Sequence, residues 1–496
     1  MMPAKMSAKM SANLASLLMD HPFTDGEALL HTRARSVTAG EARAQARAVA
    51  ADIRAAGITP GHAVALRLPN STDAVTAMVG IWLAGCVFVP VNPRSPDQEV
   101  ARVLEVTGAA AEITTAGLRR VDGTRTYADG TGFVLWTSGT TGAPKAILHR
   151  HDAYVELLDR VLGSLRRSGR EPHRPGSEPQ RPGSEPPRPD SEPHRPTPNL
   201  IPVSLALNAG IYNTLFGLRA GAALVIMERF ETGAFAALVR RFGIRSTVLP
   251  PAAITMLNDD RTLTDLTPLR YVRSITAPLS PLQARRFTDK FGAFVLNGYG
   301  QAELGEVIGW TADDARAHPD KVGAAGRAHA GVDLKLVDPD ANGVGRLSVR
   351  PPGRAVGYAG GEDLDDRIDA DGFVDTGDLA RVDAEGFVWI EGRAGDVINR
   401  GGNKVFPDDV EEVLRLVPEV DDAAVVGVPD DRLGEVPVAF VTGRAVDPAT
   451  LVAACREHLA PYKVPVAFHH VDALPRNEAG KLLRRDLASR HGAKGD

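Results

Sequence analysis

A chain of 496 residues, 43% of them apolar, is too long for one hydrophobic core and points to two or more packed domains. A net charge of −5 gives no general reason to expect nucleic acid or an anionic membrane as partner, and no apolar run approaches the length of a membrane span. Two cysteines, Cys86 and Cys455, stand far apart in no metal or redox motif; with no apolar core behind the lysine-bearing N-terminus, this usage fits a reducing cytoplasm.

From about Phe23 to Thr131 helical and extended patterns alternate. Thr38 to Ala56 is rich in alanine and arginine and reads as a helix, and Val64 to Leu68 as a strand. Asn70-Ser-Thr-Asp offers caps for a helix running toward Ala84, and Val87 to Val91 is a second buried strand that leads into the turn Pro90-Val91-Asn92-Pro93. This alternation predicts βαβ units with parallel strands. Phe133 to Trp136 is a further short strand, and it feeds the loop Thr137-Ser-Gly-Thr-Thr-Gly-Ala-Pro-Lys145. Gly139 and Gly142 let the backbone approach a ligand, and successive N–H groups of such a turn make an anion-holding nest. Thr137, Ser138, Thr140 and Thr141 add hydroxyl donors, and Lys145 adds a point charge. The ordinary alternative is a surface loop joining a strand to a helix.

His149-Arg-His151 follows, with His151 read as a partly exposed histidine at a helix start. The composition then changes. Pro172 to Asn199 repeats PHRPGSE, PQRPGSE, PPRPDSE and PHRPTPN, with almost nothing apolar to offset the entropy of ordering it and prolines that forbid a helix. About Ser168 to Asn199 is therefore expected to be a disordered surface insertion. Alternation resumes from Leu200, with strands at Ala223–Met227, Ser246–Leu249 and Phe294–Asn297 and helices near Ala234–Arg241 and Pro281–Phe291. Gly331 to Arg350 alternates apolar residues around Asp338-Pro339-Asp340 and predicts antiparallel β structure. A small C-terminal unit is expected from Gly392, with a helix opened by Pro407-Asp408-Asp409, strands at Ala423–Val428 and Val436–Val441, and a helix near Pro448–Leu459.

The string TSGTTGAPK resembles, residue for residue, the phosphate-loop signature of the adenylate-forming enzymes, which include AMP-forming acyl-CoA synthetases, carrier-loading adenylation domains and beetle luciferases. Four further motifs follow in that family's order. Asn297-Gly-Tyr-Gly-Gln-Ala-Glu303 resembles its YGxTE motif, where Tyr299 between glycines would offer a ring to a flat base and Glu303 would bind Mg²⁺ shared with phosphate; Ala302 stands where threonine is usual. Asp375-Thr-Gly-Asp378 resembles the ribose-binding motif, in which Asp378 grips the ribose with help from Arg393. Gly392 to Lys404 resembles the domain hinge, with Gly395 in place of the usual Asp or Lys, and Gly401-Gly402 resembles the loop bordering the pantetheine tunnel of CoA-using members. Pro475-Arg-Asn-Glu-Ala-Gly-Lys481 resembles the terminal motif whose lysine reaches the substrate carboxylate and the α-phosphate. The aromatic-His pair that many relatives carry within the region Ile201 to Gly210 is absent, so acid specificity cannot be copied from better-known members.

The resemblance implies an α/β fold: a large N-terminal domain, residues 1–391, of parallel-sheet α/β subdomains with a β-rich subdomain, and a small mobile α+β C-terminal domain, residues 392–496. It implies ATP-dependent activation of a small carboxylic acid to acyl-AMP with release of pyrophosphate, then transfer to CoA, with ATP, Mg²⁺ and CoA as cofactors. Catalysis falls to Lys481, Glu303 and Lys145, with Thr137 to Gly142, Asn297, Tyr299, Gly300, Asp378 and Arg393 at the nucleotide and Asn208, Ala209, Tyr212, Thr276 and Gly300 at the acid. Transfer to a carrier-protein thiol or a nitrogen nucleophile is the alternative acceptor chemistry, and a nucleotide-binding protein without turnover is the alternative of another class.

Overall fold

The helix Ala39–Ala55 starts where the Thr38 hydroxyl accepts from the Glu41 N–H while the Glu41 carboxylate accepts from the Thr38 N–H. Its small face, Ala42, Ala46 and Ala50, is fully buried and admits a close neighbour. That neighbour is the helix Thr72–Leu83, where a Cβ built on Gly80 would lie 2.6 Å from Val49 Cβ. Only glycine allows the two axes this approach. The structure is a computed structural model that describes residues 13–137, 145–168, 195–275, 277, 279–353, 357–358, 364–476, 482–484 and 486–488.

These helices, with His151–Ser168 and Asn208–Arg219, share one core with two sheets. The seven-stranded sheet runs, in spatial order, Gly357–Tyr358, Lys145–Arg150, Thr131–Thr137, Val87–Pro90, Ala63–Leu66, Ala111–Thr114 and Gly117–Arg120. Its middle is parallel and its edges antiparallel. The nine-stranded sheet runs Arg327–Ala328, Gly305–Gly309, Phe294–Gln301, Tyr271–Ser274, Ser246–Leu249, Asn199–Ile201, Leu224–Ile226, Ala28–His31 and Ser36–Thr38. A four-stranded antiparallel sheet follows, Asp333–Val337, Gly345–Arg350, Val374–Val382 and Val388–Arg393, built around Leu347, Val349, Val374 and Val388. A separate five-stranded sheet begins at Ile398 and packs the helices Pro407–Leu414 and Pro448–His458 onto Val425, Ala439 and Val441. Among the described residues no helix is long and apolar enough to cross a membrane.

Asn70 fastens the two large sheets together. Its Nδ2 donates to the carbonyls of Val203 (2.7 Å) and Met227 (3.0 Å), and its Oδ1 accepts from the Leu205 N–H at 2.8 Å. Asn70→Ala strands all these backbone groups in a buried place, and a loss of about 3 kcal/mol of stability is expected in urea titrations; a loss under about 1 kcal/mol would show that water takes over the clamp.

Several expectations need correction. The ordinary alternative of a surface loop joining a strand to a helix does not hold, because Thr131–Thr137 pairs antiparallel with the strand Lys145–Arg150. His151 opens a helix but is buried, 8% exposed, and its Nδ1 accepts from the Leu14 N–H at 3.2 Å. The expected insertion ends earlier than Asn199. Arg195 pairs with Glu27 at 2.6 Å and lies over the Phe23 ring, and Asn199 starts a strand; residues 169–194 are outside the described residues. The strand Phe294–Gln301 extends past Asn297 through the whole NGYGQ motif.

Candidate active site

The loop that opens the resemblance hangs between two antiparallel strands whose last register pair is Thr137 with Lys145. Ser138, Gly139, Thr140, Thr141 and Gly142 lie outside the described residues, as do the side chains of Thr137 and Lys145. Behind the hairpin His149 stacks on Phe133 at 4.7 Å, and its Nε2 is buried with no hydrogen-bond partner among the described residues. Burial lowers its pKa from 6.5 to about 3. The unfolded chain takes up this proton near pH 6.5 and the folded chain far lower, so the stability is complete above pH 6.5 and drains away as pH falls toward 3. His149→Leu is expected to raise the melting temperature and flatten its decline between pH 7 and pH 5. An unchanged acid slope would assign that decline to other groups.

The strand Phe294–Gln301 and the strand Val374–Val382 bring the second and third motifs together. Asp378 is 4% exposed, yet its carboxylate is surrounded by donors. Arg393 Nε reaches Oδ1 at 2.8 Å, and Oδ2 accepts from the Tyr299 hydroxyl and from Gln301 Nε2, the latter at 3.1 Å. Gly377 turns the chain here with φ of 73°, and the Asp378 N–H donates to Thr376 Oγ1 at 3.1 Å. Burial, and then the negative Asp378, push the Tyr299 phenol well above its ordinary pKa, so it stays a donor. A carboxylate offers about four acceptor positions, so these three donors leave capacity for a ribose hydroxyl.

Glu303 sits in the turn after the strand, its side chain 14% exposed, with Arg367 Nη1 at 3.4 Å from Oε1. Arg367 also donates to Gln301 Oε1 at 2.9 Å and to the Asp375 carbonyl, which ties this turn to the Asp375–Asp378 motif. Among the described residues no three His, Cys, Asp or Glu side chains gather as a metal cage. A single carboxylate is a donor that Mg²⁺ uses when waters and phosphate oxygens complete its shell, so Glu303 fits that cation. Gln301, Arg367 and Thr376 were not picked out from the sequence. Gln301 was legible only as a member of the string Asn297 to Glu303.

Of the residues expected at the acid, Asn208 opens the helix Asn208–Arg219 and its Oδ1 accepts from the Tyr154 hydroxyl at 3.3 Å. Ala209 and Tyr212 are buried on that helix; Thr276 is outside the described residues. Gly300 faces Glu306 across the strand pair, and a Cβ there would fall 2.1 Å from the Gly305 carbonyl oxygen, so no other residue fits. Asn297 Oδ1 accepts from the Gly298 N–H at 3.1 Å, which fixes its side chain against the strand.

Models of two families match this chain: AMP-binding enzyme over residues 20–132 and 124–359, and AMP-binding enzyme C-terminal domain over 409–481. The chain is an AMP-binding enzyme. It is 30% identical to 4-coumarate–CoA ligase-like 9 of Oryza sativa subsp. japonica over 94% of this chain and 90% of that one. It is 31% identical to the 3-[(3aS,4S,7aS)-7a-methyl-1,5-dioxo-octahydro-1H-inden-4-yl]propanoyl:CoA ligase of Mycobacterium tuberculosis, over 91% and 94%. The solved structure of ATP-bound MatB from Rhodopseudomonas palustris shares its fold with a TM-score of 0.81, at 24% identity over 97% of this chain and 99% of that one.

This AMP-binding enzyme carries its remaining candidates on the smaller sheet and the link to it. Arg393 ends the last strand of the four-stranded sheet, and Gly395 follows in a short 3-10 turn, where a Cβ would meet nothing within 4 Å. Gly401 and Gly402, with φ of 57° and 86°, turn the exposed hairpin between Ile398–Arg400 and Asn403–Val405, and the Gly401 N–H donates to the Leu433 carbonyl at 2.7 Å. Arg476 and Leu482 form an isolated bridge, and residues 477–481, Lys481 among them, are outside the described residues.

Proposed function

We propose that this AMP-forming acid–thiol ligase activates a small carboxylic acid with ATP and passes the acyl group to coenzyme A. One carboxylate oxygen attacks the α-phosphorus and pyrophosphate leaves with the β- and γ-phosphates. The thiolate of CoA then attacks the acyl carbonyl and AMP departs with the electron pair of the broken C–O bond. A carboxylate is already a nucleophile, so the first step needs charge stabilisation more than a general base. Lys145 and the donors Thr137, Ser138, Gly139, Thr140, Thr141 and Gly142 would hold the phosphates, and Lys481 would neutralise charge developing around the α-phosphorus. Glu303 would hold Mg²⁺, which supplies Lewis-acid charge neutralisation when bound. Asp378 with Arg393 would fix the ribose, and Asn297, Tyr299 and Gly300 would border the nucleotide.

In this reading residues 392–496 turn as a unit about Gly395 between the two steps, and Gly401-Gly402 line the approach of the thiol. Asn208, Ala209, Tyr212, Thr276 and Gly300 surround the acid. Cys86 and Cys455, both free and buried, suit a reducing cytoplasmic setting. The observation that carries the reading is the meeting of Tyr299, Gln301, Asp378 and Arg393, from motifs 79 residues apart, in one donor-filled carboxylate nest. Pyrophosphate release over a panel of carboxylic acids, with CoA, with a carrier protein and with neither, tests it. Acid-dependent release and a CoA thioester are expected. Product only with the carrier protein would move the acceptor, and no acid-dependent release would overturn the reaction.

A further inference from the structure

Glu306 is 8% exposed, on the strand that pairs with the nucleotide motif. Its Oε1 is shared by Arg273 and by His329 Nε2, the latter at 2.9 Å. Its Oε2 is buried and without a hydrogen-bond partner among the described residues. Burial works against the charged form, but the positive Arg273 and the bond from His329 outweigh it and hold the carboxyl below its ordinary pKa, so Oε2 is an anionic acceptor. Leaving such an atom unpaired is expensive in a buried place, and each such case asks for an explanation. The backbone is shaped around this group: a Cβ at Gly298 would come within 3.1 Å of the carboxylate, and one at Gly309 within 2.6 Å of Oε1.

The carboxylate borders the acid side of the site. It stands opposite Gly300, and its charge, after burial, is what raises the pKa of the Tyr212 phenol. On the helix His151–Ser168, Arg160 Nε and Nη2 are also buried without partners among the described residues, and the Glu306 charge reaches Arg160 as well. An acceptor and a donor group, each without a hydrogen-bond partner among the described residues, thus lie near the residues proposed for the acid. A hydrocarbon tail would leave both unpaired. A terminal ammonium would meet two guanidiniums, and a second carboxylate would meet Glu306. A hydroxyl both donates and accepts. Resting on the acid-activating reading above, we infer that Glu306 selects carboxylic acids whose tail ends in a hydroxyl group, which donates to Oε2 while Arg160 offers the complementary N–H.

The test is calorimetric binding of acyl-sulfamoyl adenosines, stable mimics of the adenylate, in matched pairs with and without the hydroxyl: 3-(4-hydroxyphenyl)propanoyl against 3-phenylpropanoyl, and 6-hydroxyhexanoyl against hexanoyl. At least one hydroxylated member is expected to bind on the order of 10²-fold more tightly than its partner. Equal or weaker binding of both overturns the inference. Glu306→Gln, which puts an amide donor at this position, is expected to cut the preference below about tenfold and to favour the 4-methoxy analogue; an unchanged preference overturns it. Should the variant not fold, the wild-type pairs still decide. AMP release from the parent acids is scored separately: a hydroxyl preference without AMP release sinks the reaction alone, and AMP release without a preference sinks the hydroxyl assignment alone.

Discussion

Replacing Lys481 by alanine is expected to slow carboxylate-dependent pyrophosphate exchange by about 10²- to 10³-fold while ATP still binds. The triphosphate keeps its loop and Lys145, so ground-state affinity loses little. On the proposed reading, what is removed is a charge that stabilises oxygens becoming more negative as the carboxylate attacks. A preorganised donor of this kind is worth on the order of 3 kcal/mol in the transition state. Exchange rates read the chemistry and titration of ATP reads the binding. Exchange at the wild-type rate would remove Lys481 from the first step. A parallel collapse of ATP binding would make it a holder of the nucleotide instead.

Asp378→Asn is expected to weaken ATP binding by about 10- to 100-fold, since hydrogen bonds to a charged group are worth about 1.5–3 kcal/mol. Asparagine keeps the shape and one acceptor, but its amide cannot accept from Arg393, Tyr299 and Gln301 together, as the carboxylate does. The KM for ATP should rise while the turnover at saturating ATP changes much less. A KM within about twofold of wild type would show that the ribose is held elsewhere.

The fold was legible wherever local pattern carries the information. Alanine and apolar periodicity placed the helix Ala39–Ala55, Pro281 opened the helix Pro281–Phe291, and Pro407 with its acids opened Pro407–Leu414. The site was legible where residues sit in unbroken strings, as Asn297 to Glu303 and Asp375 to Asp378 do. Partners recruited from far along the chain were not: Arg367 meets Gln301 across 66 residues and Arg273 meets Glu306 across 33, and no spacing rule announces either. Glu306 itself reads as the polar member of an apolar run, and only its depth and its orphaned oxygen distinguish it. His151 misled in the opposite direction, because a histidine at a helix start is usually wet, whereas the segment around Leu14 covers this one. Arg195 misled by composition. It belongs to the proline-rich stretch in letters, but Glu27 and Phe23 give it a fixed place.

Because the glycine-rich loop leaves one strand at Thr137 and re-enters its neighbour at Lys145, both of its ends are rooted in the same hairpin. Facing Cα atoms in such a ladder stay about 5 Å apart whatever else the molecule does. Of the two lysines proposed for the phosphates, Lys145 is rooted in this hairpin, and Lys481 belongs to the part of the chain proposed to move. On the proposed reading, a small unit that turns away after the first step takes with it the cation used for chemistry and leaves behind the one used for capture.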